Sequence, residues 1–218
     1  MLRTTSYQGA RNRREWTMRA NYAVWIGLWI IAFLVTLATK YFIYFPGDVA
    51  VERWVQSLVP QNLNWAVGVS RTAEFPWILV IIALIFAFSW VLAGWRAALI
   101  SIFSFLGMLA LGNWLGPVIA RPRPSAELVR VLRPLSGYSF PSLFGLRYAA
   151  TFGFLAVLAA WKGAGVLRTT LLIVCVALLI LGWFARVALA AHWPSDVIIS
   201  YYLGLLWAAF LIRFAPMA

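Results

Sequence analysis

The sequence holds one cysteine and one histidine in 218 residues. A single cysteine excludes an intrachain disulfide, and the pair cannot supply a Cys/His metal cluster. Charge is also scarce: 11% of residues are charged and six are acidic, where a soluble domain carries about a quarter charged residues. No polar stretch is long enough for a separate soluble domain. A cleavable leader is not the expectation either, because polar residues 1–19 run into a full-length apolar stretch rather than a short apolar core with a small-residue cleavage site. There is no fixed-period repeat and no low-complexity segment.

What is abundant is apolar. Hydrophobic residues make up 64% of the chain, and the mean hydropathy is +0.87. The bilayer must therefore be the main solvent. Apolar runs cover residues 20–39, 75–95, 97–120, 142–161, 169–185 and 197–212. Most lie near the roughly 20 residues a helix needs to cross; the last two are slightly short. The pattern predicts an all-α integral membrane protein of six transmembrane helices. Residues 46–64 form a polar interlude in which Val49, Trp54, Val55 and Leu58 can share one helical face, as a helix lying in the interface does. Tryptophans gather near span ends, where interfacial belts form.

The net charge is +12 and arginine far outnumbers lysine. No basic stripe with interleaved aromatics sits in a polar segment, so nucleic acid is set aside. In a membrane protein, basic residues flank helices on the cytoplasmic side and bind anionic headgroups. Six spans put both termini on one side, together with Arg96, Lys162, Arg168 and Arg213. By that charge the side is cytoplasmic, with residues 1–19 a basic cytoplasmic segment and residues 20–218 the membrane domain. Loops 40–74, 121–141 and 186–196 then face outward. Two of these are arginine-rich on the wrong side, which suggests a task other than topology.

Those two loops carry the chemistry. The first gives Ala120-Arg121-Pro122-Arg123-Pro124 and closes with Ser139-Phe140-Pro141-Ser142. The second gives Ala185-Arg186 and then Ala191-His192-Trp193-Pro194-Ser195-Asp196. Arginine forks bind phosphate oxygens two at a time, and prolines stiffen the loop that carries them. Ser142 at a helix start offers a hydroxyl and free backbone N–H groups. A histidine with a carboxylate behind it has one nitrogen oriented and the other free to attack phosphorus. The bland alternatives are a core histidine with a hydrogen-bonded neighbour, and arginines that touch headgroups.

The order and spacing of these residues resemble the type 2 phosphatidic acid phosphatase superfamily, PAP2, which includes the vanadium haloperoxidases. Its three motifs read Lys-x6-Arg-Pro, Pro-Ser-Gly-His and Ser-Arg-x5-His-x3-Asp, and the likeness extends over roughly residues 20–215. The resemblance implies a PAP2-like helical bundle. It assigns Arg123, Ser142 and Arg186 to phosphate, His192 to nucleophilic attack and Asp196 to orienting His192. Arg121 joins the phosphate ligands as its proline-spaced neighbour. The family forms a phosphohistidine that water hydrolyses, with no metal or other cofactor.

Four motif positions depart from the pattern. The family lysine is Gly116, the Gly-His after the serine is Leu143-Phe144, and the serine before Arg186 is Ala185. The missing histidine is the family's general acid, and losing such an acid costs about 10²–10⁴-fold where the leaving group needs a proton. Arg147, inside the fourth span, stacks with Leu143 and Phe144 at helical spacing. It either replaces the charge lost at Gly116, or it pairs with Glu74 or snorkels to the interface.

Two functions stay open. One is a lipid phosphatase at the outer face of a bacterial inner membrane. Lacking its acid, such a site should prefer an isoprenyl diphosphate such as undecaprenyl pyrophosphate, because a phosphate monoester leaves without a proton. The other is a catalytically degenerate member that binds lipid phosphate or serves as a membrane subunit. A protein partner or a homo-oligomer is compatible with either. A transporter would call for broken helices in matching halves, and none is visible.

Overall fold

The computed structural model describes residues 4–131, 135–161 and 165–214, with side chains from residue 22 to residue 213 of those ranges. The side chains of Arg3, Arg11, Arg13, Arg14, Arg19 and Lys162, on which part of the charge argument rests, lie outside the described residues. Among the described residues the chain is helical and has no strand. The elements are α1 (Thr4–Tyr41), α2 (Asp48–Leu58), α3 (Asn64–Thr72), α4 (Trp77–Ile119), α5 (Leu143–Tyr148), a π-helical turn (Ala149–Gly153), α6 (Phe154–Trp161), α7 (Val166–Ala188) and α8 (Pro194–Phe214).

Five of these helical stretches are long and apolar enough to cross a bilayer: Tyr22–Tyr41, Trp77–Ile119, Leu143–Trp161, Val166–Ala188 and Pro194–Arg213. The expected second and third spans are thus one helix, α4, of 43 residues. A straight helix of that length would run about 65 Å, twice the hydrocarbon thickness. It is not straight. Ala93 and Gly94 leave helical geometry, Gly94 with φ 81. That left-handed value costs glycine little and other residues more.

Leu143–Trp161 is the central helix, with 72% of its apolar window buried, against 11% for Tyr22–Tyr41. Around Phe154 and Leu158 pack Ile85, Ala97, Cys175 and Ile212, drawn from both parts of α4, from α7 and from α8. Small residues allow the closest approach. A Cβ on Gly204 would stand 2.4 Å from the Cβ of Ala149 in the π-turn, so α8 and the central helix meet almost backbone to backbone there. Large apolar side chains such as Val91, Phe103, Ile173, Ile180 and Ile198 point outward, as lipid-facing residues do.

The interlude after α1 differs from the sequence expectation. The face of α2 turned to the protein carries Asp48, Glu52, Val55 and Gln56, while Trp54 and Leu58 are exposed. Specific polar bonds decide this. Gln56 Nε2 donates to Arg130 O at 2.9 Å, and Arg130 N donates back to Gln56 Oε1 at 3.0 Å. Arg53 Nε donates to Leu128 O at 2.8 Å. So α2 clamps the arginine loop and leaves Trp54 and Leu58 for the interface. The nine-residue α3, just beyond the polar interlude, is not among the expected elements.

Candidate active site

The two arginine-bearing loops meet at one end of the bundle. Arg123 Nη1 donates to Ala191 O, and its Nε donates to Ser136 O at 3.3 Å. Ser139 N donates to Arg121 O at 2.8 Å, which closes the first loop on itself. A cavity of about 440 Å³ opens at this junction. Its lining includes Arg123, Arg147, Arg186 and His192, with Ser70, Glu74, Asn113, Gly116, Tyr138 and Phe144.

His192 is 3% exposed. Its Nδ1 lies 2.6 Å from the carbonyl oxygen of Ser139. A carbonyl only accepts, so Nδ1 must carry the proton and Nε2 is left with a lone pair. Burial, then the neighbouring Arg186 and Arg123, push the imidazole pKa well below the ordinary 6.5, against a smaller upward pull from the Ser139 bond. The ring is therefore neutral at physiological pH, in the tautomer a nitrogen nucleophile needs.

Asp196, expected behind His192, is one step removed. It accepts from Ser139 Oγ, from Arg121 Nη1 and from Trp193 N at 3.2 Å. The carboxylate holds the residue whose carbonyl holds the histidine. Ser139 is thus a positioning residue that the sequence did not single out; its place just before Phe140-Pro141-Ser142 was the only hint.

Arg121, expected on phosphate, is 1% exposed and does not line the cavity. Its Nη1 reaches Asp196 and, at 3.1 Å, Ser195 Oγ; Nη2 lies 3.3 Å from Asp48 Oδ2; Nε donates to Phe42 O and Ile43 O at 3.0 and 3.2 Å. Every donor faces protein. Asp48 in turn accepts from Ser195 N at 2.9 Å and Ser195 Oγ at 2.7 Å. This buried clasp joins the end of α1, α2, the arginine loop and the start of α8. Ser142 is likewise turned away. Its Oγ caps α5 by accepting from Gly145 N at 3.1 Å, and its own N–H donates to Ser200 Oγ at 2.9 Å. At 0% exposure, with its hydroxyl turned to the helix start, Ser142 does not line the cavity.

Three arginines do meet the cavity. Arg186 Nη1 donates to Ser70 Oγ at 3.1 Å, and its Nε is buried with no partner. Arg147 Nη1 donates to Ala73 O at 2.7 Å, and its Nε is also buried and unpartnered. Burial costs each such donor free energy unless a ligand or water completes it. The Arg123 guanidinium has a lowered pKa through burial, partly offset by Asp196. Arg147 makes no ion pair with Glu74; it grips the backbone one residue earlier. It therefore sits in the cavity, as the charge-replacement reading expected, but bonded to Ala73 rather than aimed at Ser142.

The motif departures shape the same cavity. The Phe144 ring lies 5.3 Å below the Arg186 guanidinium and 4.0 Å from the Tyr148 ring. Gly116 forms part of the wall, and a Cβ there would meet nothing nearer than Tyr138 at 3.7 Å. Among the described residues no group of three or more His, Cys, Asp or Glu could hold a metal.

An all-helical bundle of membrane-length apolar helices with an arginine-lined cavity and one oriented histidine defines the class: a helical membrane protein with a buried cationic pocket. The PAP2 superfamily model matches residues 97–218, and the chain belongs to the PAP2 superfamily. Its fold is similar to that of a transmembrane PAP2-type phosphatidylglycerolphosphate phosphatase from Bacillus subtilis, with a TM-score of 0.65 at 20% identity over 87% of this chain and 94% of that one. No curated protein sequence matches.

Proposed function

We propose that this chain is a PAP2-type lipid phosphatase whose nucleophile is His192 and whose preferred substrate is a lipid diphosphate. The observation that carries the reading is the convergence of Arg123, Arg147, Arg186 and a neutral, Nδ1-protonated His192 on one cavity. Arginine forks would hold the non-bridging oxygens of the terminal phosphate. Nε2 would attack its phosphorus, and the bridging P–O bond would break with the electron pair leaving on oxygen. With Phe144 where the family has its acid, no histidine is available to protonate that oxygen. A lipid monophosphate leaves without help; an alkoxide does not. The substrate preference follows from this difference. Isoprenyl diphosphates fit the chemistry, and the membrane places them within reach.

The membrane domain is read as six spans, with α4 folded at Ala93–Gly94. Residues from both of its parts pack in one cluster with Phe154 and Leu158, which supports a hairpin over a single crossing. The basic segment 1–19 and both termini would be cytoplasmic. The cavity would open on the outer face of a bacterial cell membrane.

A second reading is supported by Phe144 and Gly116 themselves: the site binds lipid phosphate without turning it over, alone, as a homo-oligomer or as the subunit of a larger assembly. Phosphate release by the purified protein decides. Lipid diphosphates and monophosphates are supplied in detergent micelles to wild type and His192→Ala. Release from wild type alone supports the phosphatase; binding without release supports the second reading. Phe144→His should then raise monophosphate turnover most.

A further inference from the structure

The proposed reaction leaves its second half without a base. Once His192 carries the phosphoryl group, water must lose a proton as it attacks, and Phe144 leaves no second histidine to take it. The cavity has few groups that could replace it. Arg123, Arg147 and Arg186 only donate, Ser70, Ser136 and Asn113 do not take protons near neutral pH, and Tyr138 is a phenol. His192 is itself the phosphorylated group. Glu74 is the one carboxylate among the lining residues.

Its placement is built rather than incidental. Glu74 stands in the turn between α3 and α4, where its N–H donates to Arg71 O at 2.9 Å and its carbonyl starts α4 by accepting from Ile78 N at 2.9 Å. The preceding residue is gripped by Arg147 through Ala73 O at 2.7 Å. On the other side of the turn Arg186 holds α3 through Ser70 Oγ at 3.1 Å. Two cavity arginines thus fix the segment that presents Glu74, yet neither forms an ion pair with it. Glu74 is exposed and lines the cavity, so water can reach it. This also assigns Arg147 a job: besides phosphate charge, it positions the turn.

We infer that Glu74 is the general base of the dephosphorylation step, in place of the missing histidine. The inference rests on the phosphohistidine reading above. In the first step Nε2 bonds to the terminal phosphorus and the bridging P–O bond breaks, its electron pair leaving on the lipid monophosphate. In the second, the Glu74 carboxylate takes a proton from water, the water oxygen bonds to phosphorus, and the P–N bond breaks with its pair returning to Nε2. Orthophosphate leaves, and Glu74 gives its proton to solvent. A carboxylate that serves as base in the second step brings no proton to the first, which agrees with a preference for diphosphates. It can act in the second.

The two steps are separable by label. Full-length protein in detergent is mixed with an isoprenyl diphosphate labelled in its terminal phosphate, quenched in alkali, and counted for protein-bound label. Wild type should turn over with little label retained. Glu74→Gln should retain up to one label per chain, lost on His192→Ala, with steady-state phosphate release down about 10²-fold or more, the scale of a lost general base. Glu74→Asp should recover part of the turnover. Melting temperatures near wild type for both variants exclude unfolding as the cause. Glu74→Gln that releases phosphate within a few-fold of wild type, without retained label, overturns the inference and leaves the phosphatase reading intact. Loss of labelling and turnover together would assign Glu74 to binding and overturn it too. If wild type neither labels nor releases phosphate, the phosphatase reading itself falls, and the inference with it.

Discussion

Arg121 and Arg123 stand two residues apart in one loop, yet the structure gives them opposite work, and substitution should separate them sharply. Arg121→Ala removes the one cation that, among the described residues, is bonded to Asp196 and Asp48, which are 0% and 4% exposed. Breaking a buried pair by removing one partner costs about 3–5 kcal/mol, because an uncompensated charge stays behind. At about 2–4 °C per kcal/mol for a chain of this size, the melting temperature should drop by about 6–20 °C. Arg121→Lys keeps the charge but cannot reach two carboxylates and two carbonyls at once, so it should fall in between. Arg123→Ala gives up bonds to Ala191 O and Ser136 O at the partly buried edge of the cavity, worth about 1–3 kcal/mol together. Its cost should appear in phosphate affinity instead, about 10- to 100-fold, as expected for one charge-assisted contact. Thermal unfolding in detergent and competition by inorganic phosphate measure the two quantities. An Arg121→Ala variant that melts with wild type but loses phosphate binding would refute the clasp and return Arg121 to the site.

Other consequences follow from the same geometry. Glu52 is fully buried, neither carboxylate oxygen has a partner, and burial, then Asp48 and Asp196, push its pKa up to about 9. An acid whose folded pKa is raised confers its full stability below the unfolded value near 4.5 and loses it as pH climbs towards 9. Glu52→Gln should flatten that slope and raise stability at pH 8 by up to about 5 kcal/mol, read as melting temperature against pH; an unchanged slope would show that Glu52 is solvated. Because the His192 pKa is pushed well below 6.5, phosphate release should persist below the ordinary histidine range before its acid decline, as a rate profile from pH 4 to 8 will show. In a protein with Cys175 replaced, a cysteine at Ser125 should react with an impermeant reagent from outside and one at Trp95 from the cytoplasm. Labelling of both from one side would eliminate the hairpin in α4.

Much of this molecule is legible in one dimension because the bilayer demands long apolar helices, and those leave a continuous signal. The central helix, α7 and α8 lie where their hydropathy puts them. The break at Ala93–Gly94 left only Arg96 and a glycine as marks. Site residues were legible by type and not by direction. His192 and Arg186 carry a spacing that fits one turn and one loop, and both reach the cavity. Which of Arg121 and Arg123 faces inward depends on loop dihedrals that proline alternation does not reveal. Ser142 looks like a ligand and like a helix cap in sequence, and the cap bond to Gly145 wins because the hydroxyl is buried against it. Spacing and the family resemblance both put Asp196 directly behind His192; a short side chain in the first turn of α8 instead meets Ser139 and Arg121. Glu74 stands out in the sequence only as a rare acid and a possible partner of Arg147, since its place in the cavity is set by α3, a helix too short to stand out.

The rate ratio between two substrates sharing one lipid chain puts the central claim to its most direct test. Phosphate release is followed from an isoprenyl diphosphate and from its monophosphate, in the same micelles at pH 7, with His192→Ala alongside. Faster release from the diphosphate, abolished in His192→Ala, is the predicted result. Equal or faster release from the monophosphate would mean that an acid serves this site after all, and release that survives His192→Ala would mean that the histidine is not the nucleophile.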